Sequence, residues 1–112
     1  MAPTTMVGQK TATTKKGRGV KRDGYPLKIS EMIAILEGAR FVERTSIHSP
    51  KEILRTKRAI KKAFEIQIEN GGFSMVEILS MCPTYWGLSP VEACKRIAQE
   101  VVKAYPLGVL KN

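Results

Sequence analysis

Ser49-Pro50-Lys51-Glu52 and Ser89-Pro90-Val91-Glu92 carry the same helix-opening signature, and each follows a run of apolar and β-branched residues. In that signature the serine hydroxyl accepts from an N–H one turn on, and proline sits at the first helical position, where no N–H is needed. The glutamate reaches back to close a capping box. The runs before them, Arg40 to Ile47 and Gly72 to Met81, read as strands; the second is apolar enough to be buried on both faces of a parallel sheet. Strand followed by helix, twice over, constrains the chain to an α/β architecture.

A helix carrying Ile29, Met32, Ile33, Leu36 and Ala39 on one face, and ended with help from Gly38, precedes the first strand. The helix opened by Ser49 should run from Pro50 to about Asn70, where Gly71-Gly72 stops it. The last helix presents Val91, Cys94, Ile97, Ala98 and Val101 as its buried face, and the tail breaks at Pro106. The order is loop-α-β-α-β-α. Two strands are too few for a stable sheet, so the pattern is a partial parallel-sheet domain whose upstream strands are missing or supplied by another chain.

At 112 residues the chain is one domain at most. Residues 1–25 lack hydrophobic periodicity and form an extended basic loop segment; residues 26–112 form the α/β half-domain. Within the first 22 residues Lys10, Lys15, Lys16, Arg18, Lys21 and Arg22 stand without one acid, which accounts for most of the net charge of +9. No run has the length of a membrane span, and no secretory signal opens the sequence. Two cysteines twelve residues apart match neither a redox pair nor a zinc knuckle, which suits reduced thiols in the cytoplasm.

In an open parallel sheet ligands bind beyond the carboxyl ends of the strands, which puts Cys82 on the working edge. Packing as a small hydrophobe, reactivity and metal ligation all remain open for it on position alone. Cys94 falls on an apolar helix face and is read as packing; His48, with no second ligand at metal spacing, as a turn residue. Lys51, Arg55, Arg58 and Lys62 make a basic stripe opposite Ile53, Ile60 and Phe64, read as a solvated face. With the basic N-terminal run it permits an alternative reading, a small nucleic-acid-binding module. Against this, no aromatic residue interleaves with the N-terminal run to give a stacking platform. Tyr85 and Trp86 are read as sealing a sheet edge or an interface. No phosphate-loop motif occurs, and no spacing brings Glu43 and Glu77 together as an acid–base pair.

Longer stretches carry a more specific signal. "APTT" with "GQKTATT", then "GYPLKISEMIAILEGARFVERTSI", "FSMVEILSMCPTYWGLSPVEA" and "YPLGVLKN" resemble, in order, the C-terminal half of the β subunit of 2-oxoacid:ferredoxin oxidoreductases, of the 2-oxoglutarate or branched-chain type. The resemblance implies a thiamine-diphosphate-binding-like fold and an enzyme that oxidatively decarboxylates a 2-oxoacid to an acyl-CoA. Its cofactors would be thiamine diphosphate, Mg2+ and a [4Fe–4S] cluster. Its partners would be the N-terminal half of the β subunit, the α and other subunits, ferredoxin and coenzyme A. By position in the family's motif, Cys82 matches the fourth cysteine ligand of the cluster, while Thr4 and Thr5 fall near the cofactor diphosphate. Met81 stands where the family usually has proline. The family's metal motif and three other cysteines lie upstream of the matching region, which implies that this chain has no activity alone and names no catalytic residue within it.

Overall fold

The computed structural model describes residues 1–112. Its elements are α1 (Val20–Asp23), α2 (Ile29–Ala34), β1 (Ala39–Ser46), α3 (Pro50–Asn70), β2 (Phe73–Leu79), α4 (Pro83–Trp86), α5 (Pro90–Arg96), α6 (Val102–Ala104) and β3 (Gly108–Lys111), with a π-helical turn at Ile97–Val101 joining α5 to α6. The three strands form one sheet in the order β2-β1-β3. β1 and β2 run parallel, with Val42 opposite Met75 and Thr45 opposite Ile78, and α3 is the crossover between them. This is the expected α/β half-sheet with one addition. After Pro106 the chain returns as β3, antiparallel to β1, with Glu43 opposite Val109. Four residues are too few to show a period, so the tail gave no strand signal.

The central strand is the more polar one. In β1, Phe41 and Val42 are fully buried, and so are Arg44, Thr45 and Ser46. β2, the apolar run expected to be covered on both faces, is the sheet edge, with Phe73 and Ile78 exposed. Nothing in the chain pairs its outer side.

α3 spans the expected residues. Ser49 Oγ accepts from the Glu52 N–H at 3.4 Å. The reciprocal half of the box is not made, and Glu52 Oε2 is buried without a partner. At α5 the box is complete: the Ser89 N–H donates to Glu92 at 2.9 Å and the Glu92 N–H to Ser89 Oγ at 3.3 Å. The Ser89 hydroxyl, which donates to the Glu92 carboxylate at 2.7 Å, and then the Ser89 N–H hold the Glu92 carboxyl below its ordinary value.

Three helix faces differ from expectation. α3 buries Thr56 and Ala59, and Thr56 donates its hydroxyl to the Ser46 carbonyl at 2.9 Å. Ile53, Ile60 and Phe64, the expected core face, remain exposed. In α5 and the π turn the buried residues are Ala93 and Ile97; Val91, in the first turn of α5, is exposed, and the wide turn after Arg96 rotates the face so that Ala98 is exposed too. α2 stops at Ala34, short of Gly38, and leaves Met32, Ile35 and Leu36 exposed.

The radius of gyration is 15.3 Å, against about 13 Å for a compact chain of this length. The accessible surface is 7205 Å², roughly 1,000 Å² above that of a compact folded monomer of this mass.

Candidate functional site

The N-terminal segment, expected as an extended basic loop, contains helix α1 and a set of turns held by a buried arginine. Arg18 is 6% exposed. Its guanidinium donates to the carbonyls of Ala2, Pro3, Thr5, Asp23, Gly24 and Tyr25, at 2.9 to 3.3 Å. Six carbonyl dipoles thus take the place of water around one fixed cation. Gly17 allows this close fold: a Cβ there would lie 2.7 Å from the Gly8 carbonyl oxygen, at a φ of +78°. α1 is closed by Asp23, whose carboxylate accepts from the Gly19 N–H at 2.9 Å. The Arg22 guanidinium beside it and the Gly19 N–H hold the Asp23 carboxyl down to about 2.

The segment so ordered crosses the carboxyl end of β2. The Ala12 N–H donates to the Tyr85 carbonyl at 2.9 Å, and Tyr105 donates its hydroxyl to the Thr4 carbonyl at 2.9 Å. α4, which presents Tyr85 and Trp86, ends at Gly87 in the left-handed region (φ 66°, ψ 35°), where the Gly87 N–H closes the turn on the Pro83 and Thr84 carbonyls.

Between these elements lies a cavity of about 280 Å³ whose lining includes Thr4, Thr5, Glu77, Cys82, Trp86 and Tyr105. The residues singled out at opposite ends of the sequence, Thr4, Thr5 and Cys82, therefore meet. Cys82 is exposed and Thr5 buried. Cys94 is half-buried and its Sγ donates to Met81 Sδ at 3.3 Å, so Met81 packs against sulfur and leaves the Cys82 thiol free of it.

One wall of the cavity is an ionic cluster that spacing did not reveal. Arg44, fully buried on β1, bonds both oxygens of Glu31 at 2.5 and 2.8 Å and Glu77 at 2.7 Å. It lies 5.3 Å over the Tyr105 ring. Ser30 adds a short hydrogen bond to Glu77. Two carboxylates do converge here, but as Arg44 partners. Burial alone would lower the Arg44 guanidinium; the hydrogen bonds it donates to Glu31 and Glu77 outweigh it and raise it above the ordinary value. The same bond to Arg44 lowers the Glu31 carboxyl, while burial and then the Glu77 charge raise the Tyr105 phenol.

The basic stripe on α3 is partly consumed. Arg55 pairs with Glu43 at 3.3 Å, and Lys62 sits 4.9 Å over the Phe41 ring. Together with Arg18, these are cations the nucleic-acid reading would need and the fold already uses. His48 accepts or donates to Ser46 Oγ at 2.6 Å in the turn after β1, as a turn residue would.

The cavity fits the cofactors of the resembling family only in part. Cys82 offers one free thiol, whereas a four-iron cluster needs four thiolates. No three His, Cys, Asp or Glu side chains gather anywhere in the chain. The only cavity carboxylate, Glu77, is committed to Arg44 and Ser30. Neither a cluster nor a metal–diphosphate site closes on these residues alone. No helix is long and apolar enough to cross a membrane.

Comparison with known proteins is consistent over nearly the whole chain. It is 42% identical over 107 residues to the ketoisovalerate oxidoreductase subunit VorA of Methanothermobacter thermautotrophicus, covering 96% of this chain and 22% of that relative. It is 34% identical over 99 residues to the 2-oxoglutarate synthase subunit KorB of Archaeoglobus fulgidus, 88% of this chain and 33% of the relative. The pyruvate synthase subunit PorB of Methanocaldococcus jannaschii is 28% identical over 104 residues, 91% of this chain and 32% of the relative. The chain thus spans about a fifth to a third of the length of these relatives. No family model and no solved structure matches it.

Proposed function

We propose, from the premise that this chain belongs to the 2-oxoacid:ferredoxin oxidoreductase family and corresponds to part of one subunit, that it is the C-terminal portion of the thiamine-diphosphate-binding β subunit. The assembled enzyme would convert a 2-oxoacid and coenzyme A to an acyl-CoA and carbon dioxide, passing the electrons to ferredoxin. The observation that carries the reading is the meeting of Thr4, Thr5 and Cys82 in one cavity at the carboxyl end of β2. That is where an open parallel sheet binds ligands.

In this reading the Cys82 thiolate is the last ligand of a four-iron cluster whose other thiolates come from upstream sequence. Thr4 and Thr5 offer hydroxyls toward a cofactor diphosphate. Ile78, Leu79, Trp86 and Val101 keep the lining apolar and exclude water. Thiamine diphosphate, when bound in the assembled subunit, supplies the carbanion chemistry. In this reading the chain alone would be inactive, because its cavity offers one thiol where the cluster needs four.

Anaerobic reconstitution of the chain with the upstream part of its subunit tests this. The assembly should show the absorption and reduced-state paramagnetic resonance of a four-iron cluster, and Cys82→Ala should abolish or convert it. A full cluster spectrum in Cys82→Ala would remove the ligand assignment.

A further inference from the structure

A second cavity adjoins the first and shares Met6, Gln9 and Trp86 with it. Its volume is about 470 Å³, and Lys10, Arg96 and Glu100 complete its polar lining. Nothing in the oxidoreductase reading uses it. Three of its side chains bring donors. Gln9 accepts the Met6 N–H with its oxygen at 2.9 Å, which leaves its NH2 group uncommitted. Lys10 is exposed. The Arg96 guanidinium lies 5.5 Å over the Trp86 ring; its Nη1 is shielded from water and has no partner. Its Nε makes a long i,i+4 ion pair with Glu100 at 3.8 Å, beyond hydrogen-bond length.

An arginine propped on an aromatic ring, with Nη1 unpartnered and only a long ion pair at Nε, has donors left for an anion that accepts at more than one oxygen. Glu100 is the only acid in the lining, and the cavity falls in the size range of small-ligand sites. We propose that Gln9, Lys10 and Arg96 form a binding site for the phosphoryl or diphosphate group of a small molecule, reached along the groove that passes Trp86 from the Cys82 cavity. The site does not depend on cluster ligation.

Trp86 is the chain's single tryptophan, so its fluorescence reports on Arg96 directly. Inorganic pyrophosphate titrated into the full chain at submicromolar concentration and constant ionic strength should change that emission saturably. Arg96→Gln and Lys10→Gln should each weaken binding about tenfold or more, in line with the loss of a charge-assisted contact. Glu100→Gln should tighten it several-fold by removing the competing acid, and it decides the matter if Arg96→Gln does not fold. A linear response to pyrophosphate, equal to that of chloride, would overturn the site, as would unchanged affinity in the folded Arg96→Gln chain. Competition by coenzyme A or by thiamine diphosphate then identifies the source of the phosphate, and displacement by either supports the site. A four-iron cluster that forms without any pyrophosphate binding would sink this inference and leave the ligand role of Cys82 standing.

Discussion

Arg18 and Arg44 are both buried, and the fold pairs them in opposite ways. Arg44 is neutralised by Glu31 and Glu77, whereas Arg18 has six carbonyl oxygens and no carboxylate bonded to its guanidinium. A lysine keeps the charge of Arg18 but offers three donors from one point, which cannot span both sides of the loop. Arg18→Lys should therefore loosen residues 2–25 while leaving the sheet intact. Hydrogen exchange should show local protection reduced by about 2–3 kcal/mol, the scale of leaving several buried acceptors unmet. Lys16→Gln, at an exposed position, should change nothing. Equal loss of protection across β1 would mean that Arg18 supports the whole fold and not the loop. Composition placed Arg18 among six cations free for a polyanion, and only the flanking Gly17 and Gly19 hinted otherwise. Cys82 was legible because its place depends on topology, which strand and helix order reveal. The role of Arg18 depends on carbonyls in a loop without period.

At the scale of elements, Arg44 ties α2 to the sheet through Glu31, and β2 to β1 through Glu77. The pH dependence of this tie has a definite sign. Arg44 holds the Glu31 carboxyl below its ordinary 4.5 in the folded chain. Folding therefore gains from the ionised form above that value, and the gain is lost as pH falls through 4.5 toward the lower folded value. Denaturation midpoints measured from neutral pH down to about pH 3 should fall more steeply in the parent chain than in Glu31→Gln, which cannot ionise. Coincident curves would show that Glu31 pairs with Arg44 without stabilising the fold. Much at this scale was readable. The Ser-Pro-x-Glu signatures located the starts of α3 and α5, and Gly71-Gly72 located the end of α3. Faces were less so, because periodicity names the apolar side of a helix but not whether this chain supplies the surface to cover it. β1 reversed the usual rule: its polar residues are buried because β2 and β3 flank it and ion pairs satisfy them.

For the molecule as a whole, the uncovered faces share one geometry. α3 turns Ile60 and Phe64 toward a groove completed by Ser74 and Val76 of β2, and Ile68 continues that side at 83% exposure. The strand beneath is the free edge of the sheet. The apolar side of the crossover helix thus overhangs a position where one more strand would pair with β2 and bury it. The surface excess of roughly 1,000 Å² over a compact monomer is on the order of one partner's share of a standard interface. An open parallel edge beside an apolar overhang pairs with whatever strand is available. At concentrations of about 10 μM, sedimentation should show the isolated chain self-associating, and Phe64→Lys with Ile68→Lys should shift it toward monomer by putting charge over the edge. The same pair of substitutions should prevent copurification with the upstream part of the subunit, because one groove serves both. If the doubly substituted chain still self-associated but no longer took up the upstream part, association would run through the exposed Met32, Ile35 and Leu36 face of α2. The β2 edge would then belong to assembly alone.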